Sequence, residues 1–281
     1  MKARPAPVAF EGLKLQGSKP PKAGGWPFIS TSYRKGDFEA MSLTKEQAAG
    51  KVMVALDYAD AASAERLPSE LEGIPCYMKV GMQLFYAAGP AFVEQLKAKG
   101  YKVFLDVKMH DIPNTVKGGS NSVTKLGVDM FNVHAAGGAA MMEAAVEGAE
   151  AALASGQARP AIIAVTQLTS TSVQVLNEEI GIAGSVEQAV VRYAELAKRA
   201  GLNGVVASPL EVEVIKAACG KEFQTVTPGI RPTWAATNDQ SRIMTPREAL
   251  QQGTDYMVIG RPITAAASPR EALESIIEEL I

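Results

Sequence analysis

The chain has 281 residues, 47% of them hydrophobic and 21% charged, enough apolar material for one large core. A formal net charge of −2 gives no general basis for nucleic-acid binding, and no apolar run approaches the roughly 20 residues of a membrane span. Cys76 and Cys219 are the only cysteines and His110 and His134 the only histidines, which argues against a disulfide framework or a zinc site and suits a cytoplasmic protein with reduced thiols.

Residues 1–41 differ from the rest. They are rich in Pro, Gly and Lys, as in Lys19-Pro20-Pro21-Lys22. Their seven basic residues (Lys2, Arg4, Lys14, Lys19, Lys22, Arg34, Lys35) against three acidic ones (Glu11, Asp37, Glu39) leave +4, so the remainder carries −6. The segment has no apolar stretch of the kind a secretory signal needs. We read 1–41 as a poorly ordered extension or leader, with Met41 as a natural start, and 42–281 as one domain.

From Lys51 onward, short apolar runs alternate with longer helical patterns. The spacing predicts strands at 52–56, 76–80, 102–107, 130–134, 161–166, 204–207, 223–227 and 256–259. Most are continuous apolar runs, as parallel strands covered on both faces require. Helices are expected over 116–126, ending at Gly127, and over 185–200, ending at Gly201. Ser208-Pro209-Leu210-Glu211, Thr245-Pro246-Arg247-Glu248 and Ser268-Pro269-Arg270-Glu271 repeat one helix start: hydroxyl cap, proline at the first helical position, glutamate three residues after the cap. Eight strands each followed by a helix predict an α/β fold, a (β/α)8 barrel. A doubly wound open sheet is the alternative, weakened because no Gly-x-Gly-x-x-Gly follows the first strand.

Barrel chemistry sits at the C-terminal ends of the strands. There the sequence places Asp57, Lys79, Asp106, Lys108, Asp111, Thr166, Thr227, Arg231, Gly260 and Arg261. In Leu105-Asp106-Val107-Lys108-Met109-His110-Asp111, alternation along a strand points Asp106 and Lys108 the same way. Opposite charges about 4 Å apart gain roughly 4 kcal/mol at an effective dielectric near 20. An isolated Asp-x-Lys pair is more often a structural ion pair; the surrounding rim makes it a catalytic candidate. Lys79 and Lys108 alternating with Asp57, Asp106 and Asp111 would stay ionised. A lysine held as an ammonium donates a proton and does not form a Schiff base. Across the rim from this array, Gly260-Arg261-Pro262, Arg231 and the long 228–245 loop, with Asn238, Asp239 and Gln240, read as a phosphate site with a lid.

These residues resemble the orotidine 5′-phosphate decarboxylase family, in its shorter bacterial branch. The resemblance runs from about Lys51 to the C-terminus. It is carried by Val54-Ala55-Leu56-Asp57, Lys79-Val80-Gly81, the run from Asp106 to Thr115, Ala164-Val165-Thr166-Gln167-Leu168-Thr169-Ser170, Val226-Thr227-Pro228-Gly229-Ile230-Arg231-Pro232 and Ile259-Gly260-Arg261-Pro262-Ile263-Thr264. The Asp-x-Lys-x-x-Asp core alone is shared with a wider superfamily.

The resemblance implies decarboxylation of orotidine 5′-phosphate to UMP in pyrimidine synthesis, without metal or organic cofactor. Lys108 would protonate C6, Asp106 would sit beside the departing carboxylate, and Lys79 and Asp57 would bond ribose hydroxyls. Asp111 would reach across a homodimer interface into the partner's site. Thr169 would contact the pyrimidine and Thr115 would join the substrate-binding set. Arg231, Gln240, Gly260 and Arg261 would hold the phosphate. Two rivals share parts of the pattern: a magnesium-dependent sugar-phosphate decarboxylase or aldolase on the same barrel, and a catalytically silent nucleotide-binding barrel. Met78, Met82, Met109, Met141, Met142 and Cys76 are expected in the core, and His134 either lines the site or packs as a structural histidine.

Overall fold

The computed structural model describes residues 43–235 and 244–281. The expected extension, 1–41, lies outside the described residues. Eight parallel strands pair in chain order and close on themselves: β1 (Val52–Ala55), β2 (Tyr77–Gly81), β3 (Lys102–Met109), β4 (Met130–His134), β5 (Ala161–Val165), β6 (Gly204–Val206), β7 (Gln224–Thr227) and β8 (Tyr256–Ile259). Closure is made by β8 on β1, from Val52 opposite Met257 to Val54 opposite Ile259. This is the expected (β/α)8 barrel, and it disposes of the open-sheet alternative. Among the described residues no helix is long and apolar enough to cross a membrane.

Strand parity sorts the side chains. Met53, Tyr77, Phe104, Met130, Ile163 and Val226 face inward and pack together within the barrel. Alternate residues such as Val54, Met78, Leu105, Phe131 and Ile162 face the helices and belong to the larger core between sheet and helices. Met141 and Met142 are buried there as well, and Met109 packs against it half-buried. Met82 departs from expectation: it is 43% exposed, because it opens the helix Met82–Ala98 at the rim of the barrel.

Helix starts follow the local chemistry. Ser185 caps Val186–Arg199 in a reciprocal box with Gln188, and Thr245 caps Pro246–Gln251 in the same way with Glu248. Ser208 and Glu211 form the same box, but the turn they open is a 3-10 turn, Pro209–Glu211, leading into Val212–Cys219. Ser268 accepts from the Glu271 amide at the start of Pro269–Leu280. The helix expected at 116 starts at Pro113, because proline needs no hydrogen-bond acceptor at the first helical position and its φ already suits a helix.

A repeated device sets the register at the N-terminal end of the barrel. Asp129, Asn203 and Asp255 stand immediately before β4, β6 and β8. Each exchanges two bonds with the preceding strand. Its backbone amide donates to the carbonyl of Val103, Ile162 or Thr225, and its side chain accepts from the same residue's amide at 2.8, 3.0 and 2.7 Å. A cation completes each unit: Lys97 on Asp129, Arg159 on Asn203 and Lys216 on Asp255. Two residues earlier, Gly127, Gly201 and Gly253 turn the chain with φ of 75°, 82° and 92°, a region open to glycine.

Candidate active site

The inward parity that builds the barrel core continues upward into the site. On β2 it runs from Tyr77 to Lys79, on β3 from Phe104 to Asp106, and on β4 from Met130 to Asn132 and His134. At the C-terminal mouth Lys79 Nζ lies 3.1 Å from Asp57 Oδ1 and 3.5 Å from Asp106 Oδ2. Lys108 Nζ donates to Asp106 Oδ1 at 2.6 Å. Asp57, Lys79, Asp106 and Lys108 thus form a chain of alternating charge across three neighbouring strands. The side chains of Lys79 and Asp106 are only 8% and 15% exposed, so solvent screens little of their attraction. Burial pushes the Asp106 carboxyl upward; the ammonium groups of Lys79 and Lys108, with hydrogen bonds from Lys108 and Asn132, outweigh it and hold the group below the ordinary carboxylate range.

Lys108 reaches this position by an irregular backbone. Its φ is 51°, the only positive φ at a non-glycine among the described residues. Left-handed backbone costs an L-residue about 1–2 kcal/mol. The ladder between β3 and β4 slips here: Leu105 is opposite Phe131 and Met109 opposite Val133, so four steps along β3 match two along β4. This is why β3 runs on to Met109, past the predicted end. Asp106 and Lys108 do share a face, as alternation predicts, but across a bulge that simple alternation does not contain. Asn132, fully buried, spans it. Its Nδ2 donates to Asp106 Oδ1 at 2.7 Å and its Oδ1 accepts from the Lys108 amide at 2.8 Å.

A cavity of about 400 Å³ opens above this array. Asp57, Lys79, Asp106 and Lys108 line it on one side, Thr169 with Gln167 and Ser170 on the β5 side, and Arg231, Gly260 and Arg261 on the β7 and β8 side. Val165, Val206 and Val258 form part of its floor. Arg231 is nearly fully buried, while Arg261 is exposed. Arg231 follows β7, four strands from β3 in the ring of eight, and so stands on the far side of the mouth from Asp106 and Lys108; Arg261 follows β8. Closure makes β8 the neighbour of β1, and a side-chain carbon built on Gly260 would lie 3.9 Å from Asp57 Oδ2. The cation loops and the array are consecutive on one ring.

Two expected residues fall outside the cavity lining. Asp111 is exposed, accepts from the Ile112 amide, and makes no ion pair with the array among the described residues. Thr115, in the first turn of Pro113–Lys125, is exposed and does not line the cavity. Both lie beyond the end of β3. Gln240 lies outside the described residues. His134 is half-buried at the end of β4, its ring 5.5 Å from that of His110. Burial lowers its pKa, and His110 and Lys108 push the same way. Sequence reasoning missed Asn132, although an amide at an inward position of the apolar run Met130-Phe131-Asn132-Val133 was a visible signal.

Residues 50–276 match the orotidine 5′-phosphate decarboxylase / HUMPS family. The chain belongs to that family. Among similar members, an orotidine 5′-phosphate decarboxylase of Bacillus mycoides is 50% identical over 228 residues, covering 81% of this chain and 96% of that protein. The same figures hold for one from Bacillus cereus. A crystal structure of orotidine 5′-phosphate decarboxylase from Lactobacillus acidophilus has 42% identity and a TM-score of 0.74, covering 82% of this chain and 98% of its own. A Geobacillus kaustophilus structure titled only as an uncharacterized conserved protein aligns with 45% identity and the same TM-score, over 82% of this chain and all of its own.

Proposed function

We propose that this family member decarboxylates orotidine 5′-phosphate to UMP in pyrimidine biosynthesis, acting as a carboxy-lyase. The observation that carries the reading is the alternating Asp57–Lys79–Asp106–Lys108 chain, which keeps a proton-charged lysine beside an ionised carboxylate at the cavity. The C6–carboxylate bond breaks, its electron pair stays on C6, and carbon dioxide departs. Lys108 passes a proton from its ammonium to C6 and recovers one from solvent. Asp106 sets negative charge beside the substrate carboxylate, and the repulsion vanishes as that group leaves uncharged.

The ring order supports a single pose for the nucleotide. Arg231, Gly260 and Arg261 after β7 and β8 take the phosphate, together with Gln240. Asp57 and Lys79 on β1 and β2 then meet the ribose hydroxyls, and Asp106 and Lys108 on β3 meet C6. Thr169 bonds the pyrimidine. The phosphate lies far from the reacting carbon, so its binding energy serves to position the base.

Asp111 acts in a homodimer, completing the partner's array, and Thr115 joins the substrate-binding set. Support comes from apolar side chains that follow β2 and β3: Met82, Tyr86 and Ile112 are 43%, 73% and 66% exposed and available to an interface. A cytoplasmic setting fits the pathway and the two buried free thiols.

The test is incubation with orotidine 5′-phosphate, following loss of its ultraviolet band with and without EDTA. Equal loss in both is expected. Activity abolished by EDTA and directed at a keto-sugar phosphate, or UMP binding with no turnover, would defeat the proposal.

A further inference from the structure

The mechanism leaves one fully buried polar side chain at the array unused. Asn132 meets neither the cavity nor solvent, yet both ends of its amide are engaged with the reacting pair. Its partners fix its orientation. The Lys108 amide is a donor, so it must meet Oδ1; the ionised Asp106 is an acceptor, so it must meet Nδ2.

The bulge explains why a side chain is needed there. Two extra residues of β3 stand opposite β4 between the Leu105–Phe131 and Met109–Val133 pairs. Val103 turns both its backbone groups toward the β4 side, so in unbroken alternation the Lys108 N–H would turn away from β4. Here it finds the carboxamide of Asn132, at 2.8 Å, and Lys108 holds a φ of 51°. The same carboxamide pins Asp106 Oδ1, the oxygen that receives Lys108 Nζ at 2.6 Å. One group therefore sets both the backbone of the proton donor and the carboxylate oxygen that aims it.

We infer that Asn132 is a positioning residue for decarboxylation, holding Lys108 in its left-handed backbone and Asp106 in register so that the ammonium meets C6. The inference rests on the function proposed above. A carboxamide is required because one end must donate and the other accept; an aliphatic side chain does neither, and a carboxylate does both only when protonated.

The test uses Asn132→Ala and Asn132→Asp beside the wild-type protein. Asn132→Ala should lower kcat by about 30-fold or more while KM changes less than about threefold and UMP binding persists. Asn132→Asp can serve only with its carboxyl protonated, so its kcat relative to wild type should rise as pH falls. The groups facing that carboxyl are Asp106, Lys108, Lys79 behind Asp106, and the His134–His110 pair; all are present in the wild-type reference, so the ratio isolates position 132. If Asn132→Ala fails to fold, the ratio for Asn132→Asp decides. A kcat within threefold of wild type for Asn132→Ala, or a ratio independent of pH for Asn132→Asp, overturns the inference. A crystal structure of either folded variant decides independently of turnover. For Asn132→Ala, loss of the positive φ at Lys108 or a Lys108–Asp106 separation beyond about 4 Å is expected, and an unchanged site overturns the inference. A wild-type protein inert toward orotidine 5′-phosphate would instead defeat the proposed function and leave this structural outcome to judge Asn132.

Discussion

On the proposed function Lys108 carries two separate burdens: its ammonium is the proton donor, and its backbone occupies a conformation that favours glycine. Substitution can separate them. Lys108→Ala and Lys108→Gly should both nearly abolish turnover, yet Lys108→Gly should be the more stable by about 1 kcal/mol in urea unfolding, because only it relaxes the left-handed φ. Equal stability would mean the strain is absent, and substantial residual decarboxylation would remove Lys108 as the acid. The proposed function places Arg261 at the other end of the nucleotide. Arg261→Ala should lower kcat/KM by about 3 kcal/mol, on the order of 100-fold, since a charge-assisted phosphate contact is lost in the transition state. A loss under about 1 kcal/mol, roughly a factor of five, contradicts a phosphate role.

At the scale of elements, the barrel holds its register with the Gly-x-Asp or Gly-x-Asn turns before β4, β6 and β8. The acidic side chain before β8 is the most heavily used. Asp255 Oδ2 accepts from the Thr225 amide at 2.7 Å, the Thr225 hydroxyl at 3.1 Å and Lys216 Nζ at 2.6 Å. Asp255→Ala leaves a mostly buried ammonium and a strand-end amide without this partner, and should cost about 2–3 kcal/mol in chemical denaturation. Asp255→Asn should cost about half as much, because Asn203 shows that a carboxamide can fill the same place before β6. If Asp255→Ala unfolds at the wild-type midpoint, these turns do not set the register. The slip between β3 and β4 contrasts with them: the ladder is held at the base of the barrel and yields at the mouth, where Asp106 and Lys108 stand.

At the scale of the molecule, pH and association report on the site together. His134 is held neutral by burial, so the unfolded chain binds the extra proton below about pH 6.5 and stability falls as pH drops through that region. Asp106 is held ionised, so its contribution is complete above the unfolded carboxylate value near 4 and is lost below it. The urea midpoint should therefore decline from about pH 7 to about pH 5.5, and His134→Gln should flatten that decline; an unchanged slope would show that His134 titrates normally. Association is tested by mixing. Lys108→Ala and Asp111→Ala subunits, each inactive alone, should regain activity as heterodimers, because one of the two mixed sites then has every residue intact. Verified heterodimers without activity would argue against a shared site.

The strand and helix order, the capping turns and the residues at the C-terminal strand ends were legible in the sequence, because hydrophobic period, cap chemistry and strand parity are local. Lys79, Asp106 and Lys108 follow from parity plus the rule that barrel sites lie at that end. What only the tertiary structure decided were relations between distant residues. Closure made β8 the neighbour of β1 and set Gly260 beside Asp57, 203 positions away in the chain. The bulge turned Lys108 left-handed and drew Asn132, 24 residues away, into the array. Asp111 fell outside the lining of its own barrel's cavity. Such relations depend on which backbone groups find partners once the barrel shuts, and local sequence patterns carry no record of that pairing.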